Sequence, residues 1–148
     1  MHDKHDNIDV CFEPLPDIPH SVNVDAIQVA NALESIVIQA TDYSSSNRNV
    51  MVDCWVHKPA PHEFDQTNYL SIAVIFHSSK LQFDQELKIL SSSTSEEQLI
   101  ELGENALSIF ISKQVCMELG GTLFLEHIDG LEYQYIIQVK CTDIVERQ

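Results

Sequence analysis

Glycine is scarce in this chain. The four that exist, Gly103, Gly120, Gly121 and Gly130, leave no glycine-rich phosphate loop of the P-loop kind, and no Gly-x-Ser-x-Gly elbow or His-Glu-x-x-His pair is present either. Basic residues are scarce too. Eight lysines and arginines stand against 23 acidic residues, a net charge of −15. That balance argues against nucleic acid or an anionic membrane as partner, because both need basic surface to displace counterions, and it opposes a polyanionic ligand. The same acidity also serves simply to keep a domain soluble. Cysteine is limited to Cys11, Cys54, Cys116 and Cys141, with no CxxC pair and no zinc-like spacing. Each lies in an apolar run and reads as a buried free thiol of a reducing compartment. No apolar run approaches the roughly 20 residues of a membrane helix, and the opening MHDKHDN is no signal peptide.

What is present suits one packed domain. Of 148 residues, 44% are hydrophobic, enough to bury a sizeable core. Residues 1–7 read as a flexible polar lead, His2 and His5 included, and residues 8–148 as a single domain. IDVCFEP alternates as a strand, after which PLPDIP forces an extended passage, since proline fixes φ and disfavours helix just before it. Asp25 is placed to cap a helix over Ala26–Tyr43, whose stripe is Ala26, Val29, Ala30, Leu33, Ile36, Val37 and Ala40. NVMVDCWVHK and NYLSIAVIFH read as strands joined by the turn-rich PAPHEFDQT. A short helix-like QFDQELKIL follows, and two serine-rich stretches, SSSNRN and SSSTSEEQ, read as loops.

The segment Gly103 to Cys141 organises the rest. Leu107, Phe110, Ile111, Val115 and Leu119 recur at helical spacing as one apolar face, and Gly120-Gly121 supplies the positive-φ stop that a helix end favours. TLFLEHI and EYQYIIQVKC then alternate as strands about Asp129-Gly130, a pair suited to a tight hairpin. The text ISKQVCMELGGTLFLE resembles the C-terminal third of the ATP-binding domain of sensor histidine kinases, the GHKL or Bergerat type. IDVCFEPLPDIPHSVNVDAIQVANALES is similar to that family's opening, so the resemblance covers about Ile8 to Cys141. It implies an α/β (α+β) sandwich in which a mixed sheet of about five strands is covered on one face by helices. The family's helix before the first strand has no counterpart here, which suggests a trimmed fragment or a domain that lost it.

The resemblance also assigns ligand positions, and at most of them the residue departs from the family's pattern, one glycine, Gly103, surviving from the phosphate run. The polar and magnesium-binding positions of the long helix fall on Ser35 and Gln39, with Asp42 where a basic residue is common. Glutamine's extra methylene displaces the amide oxygen, and octahedral magnesium tolerates little misplacement; a solvated polar helix face is the plainer account. The Asp-x-Gly-x-Gly run becomes Phe76-His77-Ser78-Ser79-Lys80. Phenylalanine cannot accept the adenine amino group's hydrogen bond, and Ser78 and Lys80 add side chains where free φ and close approach are needed. The phosphate-cradling glycine run becomes Gly103 to Ile109, with Glu104, Ala106 and Ser108 inside it. The negative Glu104, or Asn105 as a cap, satisfies the helix dipole better than a nucleotide would. The lid is shortened to SSSTSEEQLIEL. His62-Glu63 looks superficially like a phosphoacceptor pair but stands in a proline-flanked loop, and His57 and His62 lack further metal ligands.

The expectation is therefore a pseudo-ATPase domain of a two-component signalling protein, in the cytoplasm or on the cytoplasmic side of a membrane-bound sensor, without catalysis, metal or bound ATP and magnesium. It would act through a protein partner: a response regulator, a kinase or its own dimerisation helices. Contacts are expected on the long helix and near Phe76, where Phe76 and Ile38 fill the pocket. The rival is a nucleotide-dependent switch or kinase using Gln39 and His77. A third reading pairs the fold with a phosphohistidine hairpin that these residues do not contain.

Overall fold

The structure, a computed structural model, describes residues 10–14, 21–44, 49–57, 59–91 and 95–145. The polar lead and the proline passage from 15 to 20 lie outside the described residues. The elements run β1 (Val10–Pro14), β2 (Ser21–Asn23), α1 (Ala26–Tyr43), β3 (Val50–His57), β4 (Asn68–His77), α2 (Phe83–Ile89), α3 (Glu96–Leu102), α4 (Glu104–Glu118), β5 (Thr122–Asp129) and β6 (Glu132–Val145). Among the described residues six strands form, against an expected five or so. The three-residue β2 is the addition, pairing with the far end of β6. The sheet is mixed as expected: β1 runs parallel to β3, and β3, β4, β6 and β5 pair antiparallel in that order.

Alternation along the strands builds the core face. Rows of paired residues cross the sheet, Val52, Val74, Tyr135 and Leu125 in one and Cys54, Ile72, Ile137 and Leu123 in the next. All but the half-buried Cys54 are buried. Helices α1 and α4 pack on this face and on each other. Among the described residues no helix is long and apolar enough to cross a membrane.

Helix α1 starts where the sequence places it, with the Asp25 carboxylate accepting from the Gln28 N–H at 3.2 Å. Its buried face is Val29, Ala32, Ile36, Gln39, Ala40 and Thr41. Ala26 and Ala30 are exposed, so the stripe is rotated from the expected one. Ile38, 39% exposed, does not fill a pocket, because two residues past Ile36 is about 200° round the helix.

A similar rotation occurs in α4. It buries Ala106, Ile109, Ser112 and Cys116, while Ile111 is 52% exposed. The helix is apolar on two sides, so spacing alone leaves two candidate faces; the smaller side chains allow close approach to α1 and the sheet. Phe110, Val115 and Leu119 flank the core.

Helix α3 occupies a stretch expected as loop. Ser95 and Gln98 form a capping box there, Ser95 Oγ accepting from the Gln98 N–H at 3.2 Å and Gln98 Oε1 from the Ser95 N–H at 3.0 Å. The S-x-x-Q spacing was the available signal.

The two glycines after α4 do different jobs. Gly120 takes φ 83° in a Schellman stop, with its N–H on Met117 O and the Gly121 N–H on Cys116 O. Gly121 allows contact with β6, since a Cβ there would lie 1.8 Å from Gln138 O. The hairpin turn sits one residue later than expected. A register irregularity between His127 and Asp129 brings Asp129 opposite Glu132, which leaves Gly130 and Leu131 as the loop, with Gly130 at φ 52°.

Candidate functional site

A cleft of about 220 Å³ opens between the end of α1, the loop after β4, α2 and the start of α4. It is lined by Tyr43, Lys80, Gln82, Gln85, Glu86, Ile89, Leu102, Asn105 and Ala106. A larger groove of about 660 Å³ adjoins it along Gln82, Phe83, Asp84, Gln85, Lys88 and Leu102. None of those side chains is fully buried, so the groove is open surface, whereas the smaller cleft reaches the buried Glu86, Ile89 and Ala106.

Glu86 forms the floor. It lies on the inward side of α2 and is only 3% exposed. The Tyr135 phenol donates to its Oε1 at 3.3 Å, and the Tyr43 side chain hydrogen-bonds it from α1. Burial pushes the Glu86 carboxyl above its ordinary range, while the two phenol hydrogen bonds pull it back. Both phenols are pushed up, chiefly by burial and further by the adjacent carboxylate. Neither Glu86 nor these tyrosines stood out in the sequence.

Behind the floor is an aromatic stack. Phe76 is 1% exposed and lies parallel to Tyr135, with ring centroids 5.5 Å apart at 14°, and 5.9 Å from Tyr133. Tyr133 in turn contacts His127 and Phe83 at 5.0 and 5.8 Å. The position to which the resemblance assigns the base-accepting aspartate is thus an interior apolar ring.

The remaining assigned positions surround the cleft without all facing it. Gln39 is 3% exposed, and its Nε2 donates to Asn105 Oδ1 at 3.2 Å; its Oε1 is buried without a partner. Asn105 therefore ties α1 to α4 instead of capping α4, and the N-cap Gly103 offers no side-chain acceptor. Ser78, 1% exposed, is used by the chain itself: its Oγ accepts from the Lys80 and Leu81 N–H groups at 3.2 and 3.1 Å, and its N–H donates to Leu131 O at 2.8 Å. Lys80 and Glu104 are exposed, Ala106 is buried, and Ser35, Asp42 and Ser108 are half-buried. Of the nine assigned positions, Lys80 and Ala106 line the cleft.

The other candidates stand apart. His77 has its Nδ1 buried without a partner. His62 and Glu63 are exposed in the loop, where Glu63 Oε2 accepts from the Ala60 N–H at 3.1 Å. Among the described residues no three His, Cys, Asp or Glu side chains are grouped to hold a metal ion. Cys54, Cys116 and Cys141 are free, and burial pushes the Cys116 thiol up to about 11, a poor nucleophile at neutral pH.

Solved structures decide the architecture. A mycobacterial sensor histidine kinase, MprB, superposes with a TM-score of 0.64 at 14% identity, over 93% of this chain and 85% of that one. The catalytic domain of the histidine kinase ThkA gives 0.62 at 18% identity, over 90% and 78%. This chain has the fold of a histidine-kinase catalytic domain. Full-length ShkA in complex with AMPPNP gives 0.66 at 12% identity, over 93% of this chain but only 27% of that protein. No protein-family model and no curated protein matches the chain. Within the histidine-kinase fold, α1 is the long helix, Phe76 is a paired residue near the end of β4 with the loop beginning at Ser78, and α3 stands between α2 and α4 where the sequence suggested a shortened lid.

Proposed function

We propose that this chain is a non-catalytic pseudo-ATPase domain of a two-component signalling protein, acting in the cytoplasm through protein–protein interaction or regulation and not through phosphoryl transfer. The observation that carries the reading is Phe76. It is buried and stacked on Tyr135 at the position where the family's aspartate would accept the adenine amino group, so it can neither accept that bond nor swing out without opening the core. Micromolar binding needs about −8 kcal/mol. Each buried hydrogen bond lost costs about 1–3 kcal/mol, and here the base contact, the metal ligand and the phosphate cradle all depart together.

The partner in this reading is a response regulator, a kinase or the protein's own dimerisation helices. The outer side of α1, where Ile27 is 75% exposed and Ile38 39%, offers apolar contact for it. Calorimetric titration with ATP, ADP and magnesium tests the loss of binding, and a pull-down with receiver domains tests the docking role.

A second reading has one observation in its favour. Gln39 Oε1 and His77 Nδ1 are both buried without partners, as an altered nucleotide-dependent switch would leave them between ligands. It predicts that millimolar ATP with magnesium raises the melting temperature and that Gln39→Ala weakens the shift; no shift in the unaltered protein removes it.

A further inference from the structure

We propose that the cleft over Glu86 binds a small zwitterion of the amino-acid type, its ammonium group against Glu86 and its carboxylate toward Lys80 and the start of α4. The inference rests on the reading that a nucleotide is not the occupant of this cleft. At about 220 Å³ the space is below the ~300–1,000 Å³ of pockets for drug-sized ligands, which suits a molecule of a few heavy atoms.

The floor asks for a cation. Glu86 is 3% exposed and its hydrogen-bond partners are two neutral phenols, Tyr43 and Tyr135, so those bonds bring it no counter-charge. A carboxylate has about four lone-pair positions, and two phenols leave the others for ammonium protons. Charge-assisted bonds of that kind are stronger than the neutral ones already present.

The other end asks for an anion. Lys80 lines the cleft and is exposed at its mouth. The first turn of α4 reaches the same wall through Asn105 and Ala106; its N-cap Gly103 makes no side-chain cap, but the exposed Glu104 in that turn already offsets part of the helix dipole, so Lys80 is the chief positive group facing the ligand's carboxylate. Asn105 Oδ1 is already held by Gln39. Gln82 and Gln85 add amides at the sides, and Ile89, Leu102 and Ala106 supply an apolar patch for a short side chain. A zwitterion has no net charge and escapes the repulsion that a chain of net charge −15 exerts on simple anions.

An amide NMR titration of the whole chain with L-alanine, propionate and ATP with magnesium tests this. The expected result is a saturable shift of the Lys80, Gln85 and Asn105 amides with L-alanine, at a Kd of about 1 mM, and none with propionate. Glu86→Gln, which keeps the side-chain shape, and the surface variant Lys80→Met should each weaken the alanine response about tenfold or more. Silence toward L-alanine well above that concentration overturns the inference, as does an equal response to propionate or an unchanged response in both variants. If L-alanine and ATP are both silent, the pseudo-ATPase reading stands and this inference falls. Saturable ATP binding at the same amides overturns both.

Discussion

Tyr135 reaches from the middle of the sheet to Glu86 on α2, its phenol donating to Oε1 at 3.3 Å, and this bond joins the aromatic stack behind the cleft to the carboxylate at its floor. Removing the hydroxyl with Tyr135→Phe keeps the ring on Phe76 but leaves a buried carboxylate one donor short. Urea unfolding at pH 7 should show a loss of about 1–3 kcal/mol; no loss would mean that the bond contributes nothing at that pH.

Glu86 makes stability depend on pH. Its folded-state pKa is raised above the unfolded value, with burial the main cause. Glu86 is protonated in both states below the unfolded value, and stability falls as pH rises from there through the raised folded value. Unfolding free energies of the unaltered protein and Glu86→Gln, measured from pH 4 to 8, should therefore diverge. The unaltered chain loses ground to the variant as pH rises, and parallel curves would rule the linkage out.

The interior position of Phe76 predicts a large packing effect. Phe76→Ala deletes a ring stacked on Tyr135 and Tyr133 and should destabilise by about 3–5 kcal/mol in denaturant unfolding. A change below about 1 kcal/mol would place the ring outside the core.

Two glycines should separate contact from conformation. Gly121→Ala puts a Cβ 1.8 Å from Gln138 O and should cost at least the ~1–3 kcal/mol of an overpacked site. Gly103→Ala meets nothing within 4 Å but must adopt φ 105°, for about 1–3 kcal/mol of backbone strain. Thermal unfolding of both variants checks the pair, and Gly121→Ala should be the worse.

Much of the fold was legible because it is local. The start of α1 follows from the Asp25 cap, and β4 follows from a stretch rich in β-formers, Tyr69, Ile72, Val74, Ile75 and Phe76. What escaped was decided by tertiary contact. Helix α4 offers two apolar sides, and only packing against α1 chose Ala106, Ile109 and Cys116. The hairpin turn moved because of an irregularity near His127 that no turn residue announces. At the site, Phe76 could be read as a departure from a motif. Glu86 could not: in QFDQELKIL it looks like an ordinary solvated acid, and it is buried because Tyr43 and Tyr135, from distant stretches of the chain, close over it. Helix α3 was readable from Ser95 and Gln98 but was obscured by the serine run before it.

The central claim is loss of nucleotide binding. Isothermal titration of the chain with ATP, and separately ADP, in the presence of magnesium should give no saturable heat at millimolar nucleotide, a free energy weaker than about −4 kcal/mol. A saturable isotherm in the micromolar range, about −8 kcal/mol, would contradict the account.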